Sequence, residues 1–89
     1  MSKHIIAMGG SGFFNLKTNE LMNRYILKQT GKKHPKVCFI PTAIGDKKSR
    51  MTLFHKCFKR LGAQTSILSL YNAPLGDLEK FVLSHDVIY

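Results

Sequence analysis

The sequence predicts an α/β fold in which helices cover a parallel sheet, and three observations lead to that reading. Short apolar runs of strand length alternate with longer segments whose apolar residues recur at helical spacing. Gly9-Gly10-Ser11-Gly12, Gly31, Pro41, Gly62 and Asn72-Ala73-Pro74 punctuate the junctions. The run Val37-Cys38-Phe39-Ile40 is continuously apolar rather than alternating, as expected of a strand buried on both faces. Repeated strand-helix-strand units build right-handed crossovers and hence a parallel sheet.

The elements follow in order. His4-Ile5-Ile6-Ala7-Met8 reads as a first strand ended by the glycine cluster. Residues 19–30 place Leu21, Met22, Tyr25 and Ile26 at helical spacing, and Gly31 supplies the stop. Lys36-Val37-Cys38-Phe39-Ile40 is a second strand closed by Pro41. Asp46 is placed to cap a basic helix whose stripe is Met51, Phe54, Cys57, Phe58 and Leu61, and Gly62 ends it. A third strand is expected over residues 65–70, then a shorter helix starting near Asp77 and carrying Leu78, Phe81 and Val82. Asp86-Val87-Ile88-Tyr89 reads as the opening of a fourth strand. No repeat, linker or low-complexity tract interrupts the pattern.

Composition narrows the function classes. With 89 residues the chain has room for one small domain, which buries about 60–65% of its surface. No apolar stretch approaches the roughly 18 residues of a membrane span, and the segment before the glycine cluster is too short for a secretory leader. No membrane association is expected, and the expected location is cytoplasmic. Cys38 and Cys57 lie apart in apolar settings without C-x-x-C spacing, so both are expected to be reduced structural thiols. The net charge of +9 is concentrated in Lys32-Lys33, Lys47-Lys48-Ser49-Arg50, Lys56, Lys59 and Arg60. Clustered cations attract polyanions, but these sit at helix ends and on a polar helix face, with no aromatic or Gly-rich nucleic-acid module beside them. They read as a solvated face, and nucleic acid is not an expected partner.

In parallel sheets ligands bind beyond the carboxyl ends of strands, here the loops at residues 9–15, 41–46 and 71–74. The first loop invites three sharper readings, and each fails on a residue. A dinucleotide fingerprint needs glycine where Asn15 stands, and no acid follows the second strand to hold a ribose hydroxyl. A P-loop needs Gly-Lys-Ser/Thr, which Gly45-Asp46-Lys47-Lys48-Ser49 only imitates. A nucleophile elbow around Ser11 matches Gly9-Gly10-Ser11-Gly12 but ends on the bulky Phe13. The glycines are left to let the loop bend close to a neighbouring loop or a ligand. His4, His34, His55 and His85 form no metal-ligand pattern, since His55 and Cys57 are two apart on a helix and the others lie at element ends. Glu20, Asp46, Asp77, Glu79 and Asp86 make no catalytic pair; Asp46 and Asp77 read as helix caps.

Taken together, "HIIAMGGSGF", "KVCFIPTAIGD", "FKRLG" and "DLEKFVLSHDVIY" resemble the opening part of the peptidase E family, the serine dipeptidases related to cyanophycinase. The resemblance runs along essentially the whole chain. Its most specific piece is the strand, the Pro41-Thr42-Ala43 turn and the Gly45-Asp46 helix start, followed by a helix ending in Leu61-Gly62. The basic Lys47-Lys48-Ser49-Arg50 departs from relatives, which are often acidic or polar there.

The resemblance implies a flavodoxin-like, class I glutamine-amidotransferase-like α/β fold, of which residues 1–89 would be the N-terminal portion of a single domain, apparently truncated. It also implies a serine peptidase without cofactor, acting on small peptides, typically beside an aspartyl residue. In relatives, the strand matching Asp86-Val87-Ile88-Tyr89 runs on into a Gly-rich loop of the oxyanion hole, and the nucleophilic serine, histidine and acid come later. No catalytic residue carries over to this chain. Gly9, Gly10 and Thr42 are expected near substrate, at strand carboxyl ends, without doing chemistry. Residues 1–89 alone are expected to be inactive and, with an uncovered strand edge, to self-associate.

Overall fold

The computed structural model describes residues 3–8, 20–70 and 76–89. Three helices, α1 (Glu20–Lys28), α2 (Lys48–Arg60) and α3 (Leu78–Leu83), alternate with three strands, β1 (Lys36–Phe39), β2 (Gln64–Ile67) and β3 (Val87–Ile88). The strands form one parallel sheet of order β2-β1-β3. Lys36 to Phe39 pair with Gln64 to Ile67 on one edge of β1, and Val37 and Cys38 pair with Val87 and Ile88 on the other. The α/β class and the parallel sheet are therefore as the sequence predicts.

The sheet order dictates where the helices lie. The chain leaves β1 for β2 on one side and returns from β2 to β3 on the other, so right-handed crossovers put α2 and α3 on opposite faces. The side chains of β2 agree. Successive strand residues point to opposite faces, and the neighbours Thr65 and Ser66 bond to opposite layers. His55 Nδ1 of α2 lies 2.6 Å from Thr65 Oγ1, while His85 Nε2, just after α3, lies 2.5 Å from Ser66 Oγ.

The core fills the α2 face. Val37 and Phe39 of β1 meet Phe54, Cys57 and Phe58 of α2, with Leu27 of α1 and Ala63 closing the cluster. Phe54 and Phe58 are fully buried, each worth about 2–3 kcal/mol of apolar burial. Phe39 stacks on Phe54 at 4.9 Å between ring centroids, and Tyr89 meets Phe58 edge-on at 5.4 Å, the offset and T-shaped geometries that aromatic quadrupoles favour. Of the stripe predicted for α2, Phe54, Cys57 and Phe58 are buried and Met51 and Leu61 half-buried.

Three expectations need correction. Residues 4–8 form no strand, and Ile5 is 100% exposed. An apolar run specifies burial and not a pairing partner, and residues 4–8 pair with none of the three strands. The sheet thus has three strands among the described residues rather than four. In α1 the expected stripe of Leu21, Met22, Tyr25 and Ile26 is displaced: Leu21, Met22 and Tyr25 are exposed, and Asn23, Ile26 and Leu27 are buried. The displacement turns Leu27 into the α2 cluster and sets Glu20 3.3 Å from Arg60 across the two helices. Finally, Asp46 does not cap α2: Lys47 occupies the cap position and no side chain bonds there. Asp77, by contrast, caps α3 as expected, its side chain accepting from Lys80 N.

The amino ends of the strands are laced by polar contacts. Gly31 and Gly62 end α1 and α2 at φ +67° and +90°, left-handed values that glycine reaches without strain. Asp86 then ties β3 to β1. Its Oδ2 accepts from Lys36 N at 2.8 Å, its Oδ1 from Lys32 Nζ at 2.6 Å, and its own N donates to Lys36 O at 2.8 Å.

The Lys32 ammonium and then the Lys36 N–H hold the Asp86 carboxyl below its ordinary value of 3.8. A depressed carboxyl stabilises the fold above its unfolded-state pKa, and the contribution is lost as pH falls through the folded value. Replacing Asp86 by Ala is expected to cost about 1–2 kcal/mol at neutral pH, discounted for the exposed Lys32 partner. Urea titrations should show the gap between Asp86→Ala and wild type closing as pH drops below about 4, the ordinary aspartate range; a gap independent of pH would contradict the assignment.

Both cysteines are buried thiols. Burial raises the Cys38 thiol, partly offset by Ser66 and Leu68, and raises Cys57, partly offset by Lys56 and Arg60. Little thiolate forms at neutral pH, so a maleimide reagent should modify neither residue in the folded chain and both after denaturation. Rapid labelling of the native protein would show that the core is not closed.

Candidate functional site at the carboxyl ends of the strands

An open parallel sheet binds ligands where its strand order reverses. Here the reversal is at β1, whose exit lies between those of β2 and β3, so the carboxyl ends of the three strands are the candidate ligand face. The wall between them is continuous: Tyr89 N donates to Cys38 O at 2.7 Å, and Ile40 N donates to Tyr89 O at 2.9 Å. Leu68 N donates to Phe39 O at 2.9 Å on the β2 side, so the exits of all three strands are held at one level.

Beyond β1 the chain turns sharply. Pro41 is fully buried and starts a single 3-10 turn, Thr42–Ile44. The Pro41 carbonyl accepts from both Ile44 N, at 3.1 Å, and Asp46 N, at 3.2 Å, while Gly45 N donates to Thr42 O. Gly45 and Asp46 both take left-handed backbone angles, φ +67° and +53°. For glycine this is free; for aspartate it costs about 1 kcal/mol, less than for most residues because its short polar side chain bonds locally. The Asp46 side chain reaches the loop after β2, where Ser69 Oγ donates to its Oδ2. Its Oδ1 is buried with no hydrogen-bond partner. A buried acceptor in that state costs about 1–3 kcal/mol, so the position carries strain beyond what packing requires.

Thr42 is therefore at the carboxyl end of β1, half-buried, on the turn that faces the exits of β2 and β3. Gly9 and Gly10, expected beside it, lie outside the described residues, as do Ser11 and the Asn72-Ala73-Pro74 loop. Of the expected site residues, only Thr42 is placed.

The pairing of Asp46 with Ser69 is not visible in the sequence, because the two are 23 residues apart and Ser69 belongs to no motif. The two hydroxyl-imidazole contacts were also unforeseen. They lie within the sheet layers rather than at the strand exits. His85 Nδ1 is 2.8 Å from Phe81 O, an acceptor, so it carries the proton there and Nε2 accepts from Ser66. This bond fastens the end of α3 to β2. His55 is held below its ordinary value by burial, with the Lys59 charge adding to the effect, and keeps a neutral ring against Thr65. The signal that could have found both is a pair of hydroxyl residues, Thr65-Ser66, in the middle of a half-buried strand, since hydroxyls shielded from water need partners. Among the described residues no three His, Cys, Asp or Glu side chains gather to hold a metal ion. Nor is any helix there long and apolar enough to cross a membrane.

The sequence profile of Peptidase family S51, the peptidase E family, matches residues 5–89. The chain is 44% identical over 87 residues to YgaJ, an uncharacterized peptidase of Bacillus subtilis (strain 168), covering 98% of this chain. It spans 38% of the length of that relative. No solved structure gives a significant match. With the family profile matched from Ile5 to Tyr89, over a three-stranded parallel sheet compatible with its fold, the chain belongs to Peptidase family S51.

Proposed function

We propose that residues 1–89 are the N-terminal scaffold and substrate-facing rim of a serine-type peptidase that hydrolyses small peptides, typically beside an aspartyl residue. The observation that carries the reading is the reversal of strand order at β1, which sets the Pro41-Thr42-Ala43 turn and Tyr89 together at the carboxyl end of the sheet. Family membership supplies the reaction class. In this reading Thr42, together with Gly9 and Gly10, borders the substrate. The nucleophile, its histidine and the acid belong to sequence beyond residue 89, so residues 1–89 alone are inactive.

Two buried thiols fit a reducing compartment, which supports a cytoplasmic location. Self-association of residues 1–89 is supported by the open edge of β3 and by exposed Leu83 and Ile88 beside it. The competing reading, a basic module for nucleic acid or an acidic protein, loses part of its charge to internal pairs: Lys32 with Asp86, and Arg24 and Arg60 with Glu20.

The test compares the product of the native reading frame with residues 1–89 expressed alone, using aspartyl dipeptides as substrates. The native product should release free amino acids and the 89-residue chain should release none. Turnover by the short chain that disappears in Ser11→Ala would refute the scaffold reading. An inert native product that instead binds duplex DNA with steep salt dependence would favour the basic module.

A further inference from the structure

We propose that Asp46 and Ser69 form a positioning clamp that locks the turn bearing Thr42 against the loop after β2, and so sets the shape of the substrate crevice. The inference rests on the peptidase reading above, gives Asp46 a role other than the helix cap its position suggests, and adds Ser69, which no motif marks.

The geometry is that of a turn wound to aim one side chain. Two successive left-handed residues, Gly45 and Asp46, fold the chain back until the Pro41 carbonyl receives a second donor, Asp46 N. A carboxylate just before a helix ordinarily caps it, yet α2 begins without a side-chain cap. The carboxylate is committed sideways to Ser69 instead. Its second oxygen is buried and unbonded, so the group is poorly placed to stabilise the fold by itself. Backbone strain joined to a carboxyl oxygen that is buried and unbonded, at the carboxyl ends of two adjacent strands, is the signature of a group kept for geometry.

What the clamp holds follows from connectivity. Thr42 and Asp46 are the two ends of the turn, joined through Pro41. Pro41 follows Ile40, whose N–H bonds the Tyr89 carbonyl on the facing wall. Fixing Asp46 to Ser69 therefore fixes Thr42 relative to the exits of all three strands. Without the clamp the turn is free to swing, and bound substrate must order it. Such a loss falls on KM, because no reacting group is attached to the turn.

The test uses the native gene product and the variants Asp46→Ala, Asp46→Asn, Ser69→Ala and Ser69→Thr. Loss of one hydrogen-bonded tie predicts KM for an aspartyl dipeptide raised about tenfold in both Ala variants, with kcat within about twofold. Asp46→Asn keeps an acceptor oxygen and tolerates the left-handed backbone, and Ser69→Thr keeps the hydroxyl; both should recover most of the lost affinity. Amide exchange at Gly45 and Asp46 should quicken in the Ala variants and not in the conservative ones. Should Asp46→Ala fail to fold, Ser69→Ala carries the test, since it leaves the turn backbone unaltered.

Wild-type KM and exchange in Ser69→Ala would overturn the clamp. A fall in kcat at unchanged KM would also overturn it, because Asp46 would then act on the reacting atoms. If the native product cleaves no peptide, the peptidase reading fails, and amide exchange alone decides for or against the clamp.

Discussion

Hydrogen bonding along both edges of β1 is the constraint on which the other elements depend. β2 and β3 are four and two residues long, and neither would persist without a central partner. Burial follows from the same arrangement: Val37 and Cys38, with strands on both sides, are wholly inaccessible. Once β1 is central, the direction of each crossover is decided. α2 packs Phe54 and Phe58 on one face, and the α3 segment brings His85 to the other. The same reversal sends the connections after β1 and β2 to opposite faces, which marks the carboxyl ends of the strands as the ligand end of such a sheet.

Polar contacts do what a small core cannot do alone. A domain of this size buries a limited apolar area, and the non-local strands need fastening. Asp86 fastens the start of β3 through the Lys36 N–H, His34 reaches Gly62 O at the start of β2, and His55 and His85 grip β2 from opposite faces. These contacts place the strand exits at a common level. The turn after β1 is different in kind, because Asp46 combines an unfavourable backbone angle with an unbonded buried oxygen. Strain of that sort accumulates where a fold serves a site.

The sequence disclosed what depends on local pattern. The stripe of α2, the glycine stops at Gly31 and Gly62, the cap at Asp77 and the buried run of β1 all rest on neighbours within a turn or two, and all were legible. What failed depended on distant partners. His4-Ile5-Ile6-Ala7-Met8 has the composition of a strand, but composition does not say which sheet edges remain free. α1 offers two overlapping apolar stripes, and only the packing of Leu27 against α2 chooses between them, burying Asn23 in the process. Asp46 has the spacing of a cap and the contacts of an inter-loop tie. At the carboxyl ends of the strands, the turn motif fixes where Thr42 sits in the fold, whereas Ser69 carries no local signal at all.

Membership of Peptidase family S51 and the reversed strand order support the proposal that residues 1–89 shape a peptidase site and supply no nucleophile to it. The most direct measurement is to treat the product of the native reading frame with a serine-reactive fluorophosphonate and to map the modified residue by peptide mass. The account predicts that no peptide within residues 1–89 carries the label and that a labelled serine lies beyond residue 89. A label on Ser11, or on Ser66 beside His85, would put the chemistry inside this chain and contradict the account.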